Sequence, residues 1–183
     1  MRLRGQSLTN ILVGTIALSY LVQLIVPDYE DALWISGIDF QQGEYWRLVT
    51  VALVHGGLLH LGFNLYSLHL LGTPVESYYG RFRFSLVLLS SLICGSLASA
   101  IFNDPYVASV GASGMIFGLF GSLAIIGERI GIEWQGIIVI VGINFALGFV
   151  LGGIDWRAHL GGLLGGTLIT LLLNGPKKRL GNI

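Results

Sequence analysis

Charge is what this sequence has least of: only 11% of its 183 residues are Asp, Glu, Lys or Arg, against about 25% in ordinary soluble domains. With 54% hydrophobic residues, the chain has too little polar surface to solvate a soluble fold. Cysteine occurs once, as Cys94, which excludes an intramolecular disulfide and a cysteine pair for a metal. Neither sign of charge dominates, since ten basic residues balance ten acidic ones. The only basic cluster is the short tail around Lys177, Lys178 and Arg179, so no nucleic-acid partner is expected. The zinc-protease pattern His-Glu-x-x-His and the Gly-Asp pattern of membrane aspartyl proteases are both missing. The histidines have no carboxylate placed to complete a metal site, and neither a metal nor a cofactor is expected.

What the chain does have is long stretches free of charge. Gly5 to Pro27, Leu48 to Val75, Phe84 to Asn103, Pro105 to Gly127, Trp134 to Ile154 and Ala158 to Pro176 contain no Asp, Glu, Lys or Arg. Each suits a helix of roughly 20 residues across about 30 Å of hydrocarbon. Backbone groups in lipid must satisfy one another, and the alternation of a membrane barrel is missing, so helices are the assignment. The expected fold is all-α, a polytopic bundle of six spans, with helices near 57–72, 82–102, 113–127, 134–151 and 158–173 following a first span that Pro27 ends. The apolar run from Ile11 to Val26 is long for a signal peptide and no small-residue cleavage site precedes Pro27, so it is read as a retained span. Short connectors and no internal repeat make residues 1–183 a single membrane domain.

Positive charge sets the orientation, because cytoplasmic loops retain Lys and Arg. An inside N-terminus puts Arg2, Arg4, Arg81, Arg83, Arg129 and the basic tail on the cytoplasmic side, with only Arg47 and Arg157 outside. Both termini are therefore expected in the cytoplasm. The longest connector, Pro27 to about Gly56, carries Trp34, Phe40, Tyr45 and Trp46, aromatic types that sit at membrane interfaces, and is expected to be partly embedded in the outer leaflet.

Polar residues inside spans are costly and point to a role. His60 and Asn64, four residues apart, share one helical face at about 40° and can donate hydrogen bonds toward one point. His69 points to the opposite face and is read as a core or interhelical residue. In Gly111-Ala112-Ser113-Gly114 the first glycine permits a tight turn and Ser113 opens or caps the next helix. N–H groups of a first helical turn lack partners within the helix, so they can hold a developing oxyanion beside the serine. His159 shares a face with Gly162 and Gly166 two turns on. Gly114, Gly118 and Gly121 form a stripe on the preceding helix. Glycine faces let backbones approach closely, which would bring His159 to Ser113. A neutral serine needs a base that takes its proton as it attacks, and the pair supplies one.

These features together resemble the rhomboid intramembrane serine proteases, in the minimal six-span form typical of bacteria. The likeness rests on Glu44-Tyr45-Trp46-Arg47, His55 with His60 and Asn64, Gly111-Ala112-Ser113-Gly114, and Ala158-His159-Leu160-Gly161-Gly162 with Gly166, and it covers nearly the whole chain. It implies Ser113 as nucleophile and His159 as general base and then acid. His60, Asn64 and the Ser113 N–H would form the oxyanion hole. Trp46, Arg47 and His55 match positions that hold the first loop in shape. The partners implied are the lipid bilayer and transmembrane protein substrates, cleaved near the outer face at small residues followed by helix-weakening ones. The implied location is a bacterial cell (inner) membrane.

One departure is Phe117, where the family often has a tyrosine whose ring packs on the histidine; packing is expected to survive without the hydroxyl. Asp155, four residues before His159, is placed to act as a third member of a triad. The family works as a dyad, and this acid is expected to be solvated in a mobile outer loop. A catalytically silent relative that escorts transmembrane clients is the alternative function, usually marked by loss of the serine or histidine. A small transporter, with Asn144 as its best support, lacks the repeat many transporters show.

Overall fold

The computed structural model describes residues 7–133, 135–136, 138–139, 141–143 and 154–174. Among them the elements are helical, apart from an isolated antiparallel bridge between Ile35 and Ser109. The helices are α1 (Leu8–Gln23), α2 (Gly37–Gln41), α3 (Arg47–Thr50), α4 (Leu58–Phe102), α5 (Ser113–Ile126) and α6 (Trp156–Leu173). Single 3-10 turns follow α3 and α5. The fifth expected helix, 134–151, and with it Asn144, falls largely outside the described residues.

Two described helices, Leu58–Phe102 and Ser113–Ile130, are long and apolar enough to cross a membrane. The first is two helices in one. Gly80 sits at φ 72 and ψ 167 inside it, a conformation a residue without Cβ adopts at little cost. The chain reverses there, so Gly72 before the break lies close to Phe84 after it. The expected end before Pro74 is therefore corrected: the helix runs through the proline and breaks at Gly80. Pro74 withholds one N–H from the ladder, a loss that transmembrane helices tolerate when neighbours and hydroxyls serve the freed groups. Thr73 Oγ1 bonds back to His69 O in that turn at 2.7 Å, whereas the carbonyl that Pro74 leaves without its helical donor is that of Leu70. The first helix also differs from the reading of Ile11 to Val26, beginning at Leu8 and ending at Gln23.

Three segments form the centre: α5, α6 and the second half of α4. Glycine decides their spacing. A methyl group on Gly162 would collide with Gly114 O, and one on Gly166 with Gly118 O and Cα. This order shows α5 and α6 running parallel, backbone against backbone. Gly161 and Gly165 turn to the other side, where an added Cβ would lie 2.6 Å from Ala98 Cβ and 2.7 Å from Cys94 Cβ. Thus α6 is wedged between α5 and the second half of α4, with a glycine pair for each neighbour. The core around this contact is built from Phe84, Val87, Leu88, Met115, Ile116, Leu119, Phe120 and Leu123, all buried.

The start of α1 is held by α4. Glu76 accepts from Ser7 Oγ at 2.6 Å, Leu8 N at 2.7 Å, Thr9 N at 2.9 Å and Thr9 Oγ1 at 2.7 Å. These backbone groups belong to a first turn that has no internal acceptor, so a carboxylate on another helix caps α1. At the opposite end Gln23 pairs with the His55 backbone, accepting from its N–H at 3.0 Å and donating to its carbonyl at 2.9 Å. α1 therefore runs antiparallel to the first half of α4 and is fastened at both ends. His69, read as a core or interhelical residue, is exposed and not in the core, and its Nδ1 lies 3.2 Å from Asn10 Oδ1 across this contact.

Candidate active site

Ser113 is the first residue of α5, one position after the helix cap Ala112. The turn that delivers it depends on Gly111, at φ 110, where an added Cβ would also meet the His60 ring at 2.8 Å. Gly111 N–H donates to Val51 O at 3.0 Å, which ties the turn to the first loop. His159 lies in the first turn of α6 and is 5% exposed. Its Nε2 is 2.9 Å from Ser113 Oγ, a full hydrogen bond. The imidazole stacks on Phe117, with centroids 3.9 Å apart and planes 10° apart. The expected packing of Phe117 on the histidine is thus present without a hydroxyl.

The other two side chains come from the start of α4. Gly56 N–H donates to His60 Nδ1 at 3.4 Å, so a neutral His60 ring carries its proton on Nε2, and that nitrogen faces the Gly111 turn. Asn64 is buried, and its Nδ2 donates to His60 O at 2.8 Å. Turning the amide over would set Oδ1 against a carbonyl, so this orientation is the favourable one. An amide nitrogen has two N–H groups, and one stays available after the bond to His60. His60, Asn64, Ser113 and His159 all line one cavity of about 1010 Å³, with Phe117 and Gly114 among its walls.

Of the residues read as supports, His55 is fully buried and meets the His60 ring edge-on, centroids 5.1 Å apart. Arg47 is buried and gathers the first loop: it donates to Asp31 O at 2.6 Å, to Trp34 O at 2.9 Å and to the Glu44 carboxylate. Trp46 does not share this role through its side chain, which is 54% exposed. An indole on the outside suits the interface expected for this loop. Gly114 and Gly162 face each other directly beside Ser113, and Gly166 repeats the contact one turn deeper.

Asp155 overturns the expectation of a solvated acid. It caps α6, accepting from Arg157 N at 3.1 Å and Ala158 N at 3.2 Å, and it also takes bonds from Ser99 Oγ and from Ser109 Oγ at 3.0 Å. Its oxygens are engaged by these four donors. The partners are distant in sequence, so only the capping position immediately before α6 was a signal for it.

Among the described residues no group of three or more His, Cys, Asp or Glu side chains gathers to hold a metal. The family profile described as "Rhomboid domain" matches residues 42–175. The chain is 45% identical to rhomboid protease GluP of Bacillus subtilis (strain 168) over 74% of its length, and spans 27% of that protein. It is 35% identical to YdcA of the same strain, covering 84% of this chain and 82% of YdcA. It is also 36% identical to RHOMBOID-like protein 7 of Arabidopsis thaliana over 71% of its length, spanning 43% of that relative. The match across most of the chain, together with these identities, means that the chain belongs to the rhomboid family and is an integral membrane protein.

Proposed function

We propose that this protein is an intramembrane serine protease, a single membrane domain of six spans that cleaves transmembrane clients near the outer face of the membrane. The observation that carries the reading is the 2.9 Å contact between Ser113 Oγ and His159 Nε2 in a largely apolar cavity into which His60 and Asn64 also face. Ser113 Oγ attacks the client's carbonyl carbon while its proton passes to His159 Nε2. His159 then gives that proton to the leaving amine, which departs as the C–N bond breaks and leaves an ester on Ser113. A water attacks the ester, with His159 taking and returning a proton, and the client's new carboxyl terminus is released. The negative charge on the carbonyl oxygen is met by the Ser113 N–H, His60 Nε2–H and the second N–H of Asn64.

The resemblance to GluP, a relative named as a protease, supports this chemistry over a catalytically silent escort, and so does the presence of both members of the dyad. The charge distribution supports cytoplasmic termini, and the Bacillus subtilis relatives support a bacterial cell membrane as the location. A fluorophosphonate probe should label Ser113 in the purified protein, and the same protein should cut a transmembrane substrate. Ser113→Ala should lose both. An unlabelled wild type, or cleavage that survives Ser113→Ala, would sink the assignment.

A further inference from the structure

Three segments meet at the end of the bundle that carries Ser113, and one carboxylate joins them; a fourth, the first loop, is tied in through a backbone bridge. Ser99 lies near the end of α4. Ser109 lies in the segment leading into Ser113, and it pairs with the first loop through the bridge to Ile35, with N···O distances of 3.2 Å and 2.8 Å. Arg157 and Ala158 open the helix that carries His159. Asp155 accepts from all four, and its own carbonyl accepts from His159 N–H at 3.2 Å. Ser113 therefore comes from a segment tied to Asp155 through Ser109, and His159 from a helix that Asp155 caps.

We propose that Asp155 is a positioning residue that sets the distance between Ser113 and His159 by clamping the segments that carry them. The inference rests on the protease reading above. It acts by geometry and not as a third member of the catalytic set, because the carboxylate oxygens serve backbone N–H groups and serine hydroxyls. A carboxylate that accepts from two N–H groups and two hydroxyls has a close substitute in an amide: Asn keeps an oxygen for the cap, and serine hydroxyls accept as well as donate. A cluster built for geometry should therefore tolerate Asn far better than Ala. An electrostatic partner of His159 would show the opposite, since Asn removes the charge as completely as Ala does.

The test uses the full chain in detergent or liposomes and reads kcat and KM separately on a transmembrane substrate, with the rate of fluorophosphonate labelling as a second measure. Misplacement of catalytic groups by about 1 Å costs on the order of 100-fold. Asp155→Ala should lower kcat by about 10- to 100-fold with KM changed less than about threefold, and Asp155→Asn should recover most of the loss. The double variant Ser99→Ala with Ser109→Ala keeps the helix cap and removes only the ties between segments. It should lower kcat by about 3- to 30-fold, and it carries the test if Asp155→Ala does not fold. Wild-type kcat in Asp155→Ala or in the double variant would overturn the inference, and so would Asp155→Asn being as defective as Asp155→Ala. An inactive wild type would instead overturn the protease reading, so the two failures are distinct.

Discussion

At the scale of single residues, the pair at the centre of this site is held from several directions. Phe117 covers one face of the His159 ring, which leaves the imidazole one productive orientation toward Ser113. His60 is set by Gly56 on one side and by the glycine turn on the other. Asn64 is turned by its bond to His60 O, so its second N–H is fixed without a further partner having to move. Preorganised donors accelerate a reaction only when they bind the oxyanion more strongly than the ground-state carbonyl. Asn64→Ala should therefore lower kcat by about 10- to 1,000-fold with little change in KM. Steady-state kinetics on a transmembrane substrate decide it, and a change confined to KM would move Asn64 from the oxyanion hole to client binding. The four-residue spacing of His60 and Asn64 was legible in the sequence because helical periodicity alone puts them on one face. The bond that turns the Asn64 amide was not, because periodicity places a residue on a face without saying how its side chain is rotated.

At the scale of elements, close approach does what side-chain packing does in a soluble core. Gly162 meets Gly114 next to Ser113, so any atom added there must separate α5 from α6 where Ser113 meets His159. Overpacking typically costs about 1–3 kcal/mol of stability, whereas a 1 Å displacement costs about 100-fold in rate. Gly162→Leu should remain monodisperse and helical yet lose both cleavage and labelling of Ser113. Leu168→Phe, at a position 60% exposed on the same helix, should behave as wild type. Full labelling of Gly162→Leu would mean that this contact does not set the dyad. The glycine stripes were legible as faces, although which stripe faced which helix emerged only from the packing. Glu76 was not legible as a cap, because the helix it caps begins 68 residues away. Losing charge at Glu76 weakens four hydrogen bonds at once, and bonds to charged groups are worth about 1.5–3 kcal/mol each. Glu76→Gln should lower the midpoint of thermal unfolding in detergent, with a stability loss of about 2 kcal/mol, while kcat at low temperature stays near wild type because Glu76 touches no residue of the dyad. A midpoint unchanged from wild type would show that α1 is held by other contacts.

At the scale of the whole molecule, composition and charge-free runs identified a helical membrane protein, because lipid leaves the backbone few alternatives. The ends of the runs were less legible, since a charge-free stretch marks what can be buried in lipid and not where the helix stops. Thus Pro74, a strong terminator in water, sits inside a helix, and Gly80 does the turning. That reversal has a consequence for orientation. The two halves of α4 pass through the bundle in opposite directions, so the Gly80 turn lies at one end, while Ser113 and the start of α6 share the other with the segment after Phe102. Arg81 and Arg83 directly follow the turn, and Asp104 lies in the segment at the far end. Cytoplasmic loops retain positive charge, so the turn should face the cytoplasm and the dyad end the outside. Ser77 and Tyr106 are exposed near the two ends. Cysteines placed singly at these positions, with Cys94→Ala removing the native thiol, should react with an impermeant thiol reagent from opposite sides of sealed vesicles. Ser77→Cys should label only from the cytoplasmic side, and Tyr106→Cys only from the other. Labelling of both from one side would refute the proposed topology, and reversed sidedness would place the dyad end at the cytoplasmic face, where client bonds near the outer surface are out of its reach.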